Sequence, residues 1–493
     1  MDFLAPIKAI SSTRQQRQVL VAMATGSMLV QLASLPVALA LPTLADDFGV
    51  GIDIAAWIVI VYLLALGSTV MLGARAGDRY GHARVYFVGV LASTLGPLLI
   101  AVSQSLWEMV AWRALSGVGA ALIVGNANAM LVAAFPPHQR GRAFAIPIMG
   151  SRLGTLIGLA IFGLSLQFAS WRLAFLLFLP VGIIAIAASI PILRHSEQAP
   201  RVSTGRLDLP GGVLLVGAAA ALVLSGSHLH RGEESFTSSE ALSYHLPMQL
   251  LFLTLVVVLV LVERRVRDPM IQLGHFRQKY FSVSLVSNVA FHFSMLAALI
   301  LVPILVEEGY GLAPIFVLVV FLPNQTIGLG VPLFAGWLYD KYGPKLLRPG
   351  AMSMIAMGFL AMGLLAGQIP FWVIPLLMVP ISIGTSVFNP VNNAAIMSSL
   401  PLEDRGFASG MLETTREMGH ALGSTISATA LALMLPAFID TLPEVEAQGH
   451  YTDGFQFASL MVVFILLAGA VLAYFHKSAP EAQVVAPSTA QAS

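Results

Sequence analysis

Apolar residues fill this chain in runs too long for the core helices of a soluble domain, and each run ends in a short polar break. A helix needs about 20 apolar residues to cross the hydrocarbon layer of a bilayer. Reading runs of that order between polar punctuation predicts fourteen spans, near residues 19–44, 54–73, 85–103, 106–133, 143–167, 172–193, 210–227, 247–262, 280–306, 314–337, 348–367, 370–398, 407–434 and 454–475. The seventh and eighth are the shortest. The expected fold class is therefore all-α and integral to a membrane. The first run is too long for the core of a signal peptide and lacks a clear cleavage site, so it reads as an uncleaved span.

The polar breaks alternate in charge. If the N-terminus is cytoplasmic, every second segment should be rich in Lys and Arg. All but five of the 26 basic residues fall in those segments; the exceptions are Arg113, Arg152 and Arg416 within spans and Arg172 and Arg231 in outer loops. The outer loops carry Asp46, Asp47, Asp53, Glu233, Glu234, Glu307, Glu308 and Asp453. Dropping or adding one span would scramble this sorting. The reading is a multi-pass protein of the plasma membrane or bacterial inner membrane, with both termini cytoplasmic and the lipid bilayer as its first partner.

Composition agrees. The 493 residues are 57% hydrophobic and 10% charged, with a mean hydropathy of +0.83, whereas a soluble domain averages about 25% charged. A net charge of +1 gives no reason to expect a nucleic-acid partner. With no cysteine, disulfides, thiol catalysis and thiolate metal sites are excluded. His228, His230 and His245 match no metal-ligand spacing, so no metal is expected. There is no phosphate-cradling Gly-x-x-x-x-Gly-Lys-(Ser/Thr) loop and no nucleophile–base constellation. An enzyme is not indicated, and no cofactor is expected.

Two landmarks recur in order. Asp78-Arg79-Tyr80-Gly81 follows the second run and Asp340-Lys341-Tyr342-Gly343 the tenth, the aspartates 262 positions apart (340 minus 78). Pro136, Arg140, Gly141, Gly154 and Gly158 recur as Pro401, Arg405, Gly406, Gly419 and Gly423, each 265 later. A doubled membrane protein points to a transporter. The expected organisation is a cytoplasmic segment 1–18, a six-helix half 19–193, a linker 194–279 with two inserted spans, a second six-helix half 280–475, and a disordered cytoplasmic tail 476–493.

Six spans, a doubled unit and Asp-(Arg/Lys)-x-Gly after the second span of each half resemble the major facilitator superfamily. Further stretches are similar to its fourteen-span drug:proton antiporter branch. They include Trp57-Ile-Val-Ile-Val-Tyr62, Arg113-Ala-Leu-Ser-Gly117-Val-Gly119 and Trp171-Arg172-Leu-Ala-Phe175. Asn392-Asn393-Ala-Ala-Ile-Met and Arg405-Gly406-x-Ala408-Ser409-Gly410 complete the set. There are departures. The span-1 Asp of that branch is missing from Ala33-Ser34-Leu35-Pro36. The span-5 Gly-Pro-x-x-Gly-Gly reads Gly154-Thr155-Leu156-Ile157-Gly158-Leu159. In the first loop Ala74 replaces a Gly, and His82 and Ala83 replace basic residues.

The resemblance implies a cavity lined by spans 1, 4, 9 and 12. Their polar and aromatic candidates are Gln31, Asn126, Asn128, Asn288, Phe291, His292, Asn389 and Asn392. Each has an ordinary alternative as an interhelical hydrogen bond. The resemblance also assigns the span-4 arginine, here Arg113, a part in proton coupling.

The residues add their own reading. An unpaired charge inside a bilayer costs about 2.5–3.5 kcal/mol even on a lenient scale. Five such charges stand out: Arg113, Arg152, Glu413, Arg416 and Glu417. Glu413, Arg416, Glu417 and His420 share one helical stripe. They form either a self-neutralised structural cluster, through Glu413–Arg416 and Arg416–His420 pairs, or a titrating proton site. At the loops, Gly81 and Gly343 supply positive φ, and Asp78 and Asp340, beside Arg79 and Lys341, can bond a neighbouring helix in one conformation only. That makes them candidate gates rather than mere turns. Gly150, Gly154 and Gly158, like Gly419 and Gly423, suit close helix packing.

The first functional hypothesis is a secondary transporter exporting an amphiphilic small molecule or drug against proton entry, the proton gradient being its energy source. The second is a facilitator or importer of one metabolite without proton antiport. The third, a membrane sensor or scaffold, lacks a loop long enough for a signalling domain. A periplasmic adaptor partner is not evident from the sequence.

Overall fold

A computed structural model describes residues 11, 13–50, 52–55, 57–196, 208–225, 239–266, 269, 271–313, 315–401, 404–436, 439 and 442–475. The expected disordered tail, most of the N-terminal segment, and His228 and His230 of the outer loop lie outside the described residues.

Among the described residues, long helices follow the apolar runs in order. They are α1 (Arg14–Leu32), α2 (Trp57–Tyr80), α3 (His82–Ala101), α4 (Leu106–Ala134), α5 (Arg140–Phe168), α6 (Leu179–Ser196) and α7 (Leu209–Ser225). The chain continues through α8 (Ser239–Glu263), α9 (Lys279–Ile304), α10 (Ile315–Tyr342), α11 (Leu347–Leu365), α12 (Ile374–Ser398), α13 (Arg405–Ala432) and α14 (Glu444–Phe475). Among the described residues, eleven helices are long and apolar enough to cross a membrane. The three at the positions of the first, seventh and thirteenth runs fall short: α1 opens on Arg14, Gln15, Gln16, Arg17 and Gln18, α7 has only 17 residues, and α13 carries four charges.

The first run is not one helix, which corrects the sequence reading. It starts earlier, where Thr13 and Gln16 form a reciprocal capping box, and it breaks after Leu32. A 3-10 turn, Leu35–Ala40, and a short helix, Leu41–Phe48, complete it. Pro36 and Pro42 explain the break, since neither can donate the i→i−4 bond that a continuous helix needs. The last run also extends backwards, α14 starting at Glu444 rather than near 454.

Packing repeats itself at the duplication interval. α1 packs on α5 and α9 on α13; α2 and α3 pack on α4 as α10 and α11 pack on α12; α3 packs on α6 as α11 packs on α14. Helices also meet across the first six and last six, most extensively α2 against α13 and α5 against α10, with α4 on α13 and α5 on α12 beside them. One apolar core lies mainly among α1–α6 and a second among α9–α14. α7 and α8 pack on each other, α7 also touching α2 and α13. Leu250, Leu253, Val257 and Leu261 leave α8 exposed, as suits a lipid-facing helix.

The glycine series sets how closely the helices approach. A Cβ on Gly154 would come 3.0 Å from the backbone carbon of Met28, and one on Gly158 2.6 Å from Pro36 Cγ. In the other copy, a Cβ on Gly419 would lie 2.6 Å from the Val289 carbonyl. Nothing lies within 4 Å of such an atom on Gly163. Gly154→Leu should therefore push α1 from α5 and destabilise the protein by about 1–3 kcal/mol or more, while Gly163→Leu should be near neutral. Thermal unfolding of the two purified variants in detergent checks this; equal midpoints would remove the packing role.

Candidate functional site

The polar stripe of α13 meets two other helices at mid-depth. Glu413 accepts a hydrogen bond from Asn128 Nδ2 of α4 at 3.1 Å and pairs with Arg416 at 2.6 Å. Arg416 Nε also donates to Glu417 at 3.1 Å. Glu417 lies 3.6 Å from His420 Nδ1, whose Nε2 meets His292 Nδ1 of α9 at 3.1 Å. Only one proton can sit between those two nitrogens. The pairing differs from the expected ladder: His420 engages Glu417 and His292, whereas Arg416 is taken by the two carboxylates on either side. Phe291, beside His292, stacks on Phe388 of α12 at 4.5 Å between ring centroids.

This network joins the two sixfold groups. Asn128 belongs to the first and α13 to the second, and Glu417 lies over Gly67 of α2, where a Cβ would sit 3.3 Å from its Cγ. Gly67 is about 16 Å along α2 from Asp78 at 1.5 Å per residue, near the middle of the helix. Buried charges at such a depth are costly unless paired, and here three helices supply the pairing.

Arg113 does not join that network. Its Nε donates to the Ile58 carbonyl of α2 and an Nη to the Ala33 carbonyl, both at 2.7 Å. Its guanidinium lies 4.4 Å from the Tyr62 ring, and the Tyr62 hydroxyl donates to the Val30 carbonyl at 2.9 Å. The break in α1 leaves carbonyls without helical partners, and Arg113 satisfies one of them. Arg152 lies against Gly328 of α10.

Several cavity candidates are consumed by interhelical bonds. Asn126 donates to the Gly73 carbonyl at 3.0 Å and meets His82 at 2.8 Å, joining α4 to α2 and α3. Asn288 donates to the Leu412 carbonyl and to Thr415, and accepts from Asn392 at 3.3 Å. Gln31 of α1 and Asn389 of α12 are partly buried.

At one end of the bundle the halves are latched. Asp340 accepts from the backbone N–H of Gly141 at 2.8 Å and of Arg142 at 3.2 Å, and pairs with Arg142 Nε at 3.0 Å. It thus caps the N-terminus of α5, where orphan amides and the helix dipole favour an anion. Close backbone approach permits this: a Cβ on Gly336 would meet the Arg142 nitrogen at 2.7 Å. Arg140 reinforces the contact, donating to Ser398 of α12 at 3.0 Å. Asp78 is held within its own half, by Arg75 at 3.5 Å and His82 at 3.3 Å, with its carboxylate over Gly406 of α13. Gly81 and Gly343 take φ of 98° and 71°. Arg79 and Lys341 lie over neighbouring rings, Tyr80 in one loop and Trp337 and Tyr342 in the other.

A family profile described as Major Facilitator Superfamily matches residues 21–424. The chain belongs to that superfamily. Among curated relatives, it is 26% identical over 399 residues to the riboflavin transporter RibZ of Clostridioides difficile, covering 80% of this chain and 83% of that one. It is 28% identical to the tetracenomycin C resistance and export protein of Streptomyces glaucescens (84% and 75% covered). It is also 28% identical to the puromycin resistance protein pur8 of Streptomyces alboniger (92% and 90%). The fold is similar to that of the proton:xylose symporter XylE, with a TM-score of 0.61 at 14% identity and 93% and 94% coverage. The human organic anion transporter MFSD10 gives 0.56 at 15% identity, covering 92% of this chain and 100% of that one.

Two residues of this superfamily member were missed by sequence reasoning. Arg348, buried at the start of α11, donates to Ser284 at 2.5 Å and to Asn392 at 3.4 Å. His82, at the start of α3, meets Asn126 and Asp78. They are equivalent: 348 minus 82 and 392 minus 126 both give 266, within one of the glycine offset. The signal was there, but Arg348 was counted only as a loop charge and His82 only as a lost basic residue. In the structure His82 does what the equivalent arginine does, tying the third helix of its half to the fourth.

Proposed function

We infer that this multi-pass chain of the major facilitator superfamily works as a transporter and not as an enzyme. We propose that it is a proton-coupled exporter of an amphiphilic small molecule, in the fourteen-span drug:proton antiporter branch. On this reading all of α1–α14 cross a bacterial inner membrane, with both termini cytoplasmic. α1–α6 and α9–α14 rock as two halves around a midplane site, and α7–α8 are an inserted pair. The observation that carries it is the Asn128–Glu413–Arg416–Glu417–His420–His292 network. It holds two carboxylates at mid-depth, in contact with both halves, where a proton can alter how the halves bind each other. The Asp340 latch then closes the basic side in the present conformation. One proton moving down a 100 mV potential supplies about 2.3 kcal/mol. The two drug-resistance relatives support export.

Uptake or facilitated movement of one metabolite is the second reading. It is favoured by Arg113, which bonds backbone carbonyls where the branch has a span-1 carboxylate nearby, and by the riboflavin transporter among the relatives. Purified protein in vesicles separates the two. The exporter loses net accumulation of a substrate when the pH gradient is collapsed; movement that continues unchanged toward equilibrium sinks the antiport reading.

A further inference from the structure

We propose that Arg152 is the anion-binding residue of the transport site, so that the substrate carries a carboxylate or comparable anionic group. This rests on the transport reading and names the class of substrate.

The three intramembrane arginines have different fates. Arg113 is taken by two carbonyls and Arg416 by two carboxylates. Arg152, among the described residues, makes no hydrogen bond and no ion pair. A guanidinium left in that state inside a membrane protein costs several kcal/mol, and five N–H donors await an acceptor. Its setting is built rather than incidental. Arg152 crosses from α5 to α10 over Gly328, where a Cβ would stand 2.9 Å from its Nε. Any larger residue there would displace it.

The face of α10 that it meets is the inner one. Leu318 and Leu322 are exposed on one side of that helix. Val320, Asn324 and Gly328 are buried, and at 100° per residue they lie on the opposite side. Asn324, one turn from Gly328, is only 6% exposed, and its Oδ1 has no partner. A charged donor and a buried, unpartnered amide oxygen therefore lie on the same face of α10, the oxygen suited to an N–H or O–H of the substrate and not to its anionic group.

The duplication places this pair at a significant position. Arg152 and Glu417 are 265 apart, the interval of the glycine series on the same helices. Each lies across a glycine of the opposite half, Gly328 and Gly67, which are 261 apart and so within one residue of the aspartate interval. The two halves thus present opposite charges from equivalent places. Glu417 already has Arg416 and His420; Arg152 has an open fork suited to a carboxylate.

Three dansyl probes of one fluorophore test this on the purified full-length protein: dansylglycine, its methyl ester and dansylcholine. The expected result is tighter binding of the carboxylate than of the ester by about tenfold or more. Arg152→Gln should erase the preference while leaving ester binding intact, and Arg152→Lys should keep part of it. Competition by an excess of unlabelled alkyl carboxylate, but not of its amide, should follow the same order. Equal wild-type binding of ester and carboxylate, no binding of the carboxylate, or an unchanged preference in Arg152→Gln would each overturn the proposal. Transport in vesicles separates the two levels: if the ester or the cation is moved and the carboxylate is not, the anion site fails and the transport reading stands. If substrate binds and no gradient or time moves it, the transport reading fails.

Discussion

Replacing both Glu413 and Glu417 with glutamine should abolish accumulation driven by a pH gradient. The two carboxylates are the titratable acids within the α4–α13–α9 network, and glutamine keeps their shape without their proton. The double variant also strands Arg416 between two neutral amides. Leaving a buried charge uncompensated costs about 3–5 kcal/mol, so instability alone could mimic loss of function. The triple variant Glu413→Gln, Arg416→Gln, Glu417→Gln removes that charge as well. It should recover thermal stability and substrate binding but not gradient response. Gradient-driven accumulation at the wild-type rate in a folded triple variant would end the coupling role of this cluster.

Asp340→Asn should release the basic end of the bundle, and Asp78→Asn should do so much less. Asp340 accepts two backbone bonds and one ion pair from the first turn of α5. Hydrogen bonds to a charged group contribute about 1.5–3 kcal/mol each, so losing the charge should shift the open–closed balance at least about tenfold. Asp78 is bonded chiefly to Arg75 and His82 of its own half. The chain has no cysteine, which permits a single reporter thiol. Met397→Cys, buried at the end of α12, should react with an impermeant maleimide markedly faster beside Asp340→Asn than in the parent. Equal labelling in the two aspartate variants would show that the latch is shared evenly.

Much of this was legible in the sequence, because a bilayer imposes long apolar runs and sorts charge by side. The interval of 262–266 residues then matched loops, glycines and, once the structure was known, His82 with Arg348. The break in α1 was hidden because apolarity continues through Pro36 and Pro42; hydropathy reads composition, not backbone bonds. The fate of the asparagines was hidden for another reason. Asn126, Asn288 and Asn128 are alike in sequence, yet the first two bond neighbouring helices of their own half and the third reaches Glu413 across the halves. Such differences depend on helix rotation by a few tens of degrees, which no one-dimensional pattern records. The two loops differ in sequence and also in what they touch. Gly336 permits backbone contact with Gly141, whereas at Ala74, its counterpart, the methyl group stands 3.2 Å from where a Cβ on Gly410 would be.

The Asp340 latch holds mainly main-chain amides, not a particular side chain. Given a glycine at 141, where a Cβ would run into the Gly336 carbonyl oxygen, a helix start offers the same two N–H groups whatever side chains flank it, so the rest of the receiving turn is free to drift while the aspartate is not. Mutational co-variation, which finds contacts through paired changes, would have little to register at this junction. This tie between the halves would then be nearly silent in a comparison of related sequences, and visible only as a lone acidic residue opposite a glycine.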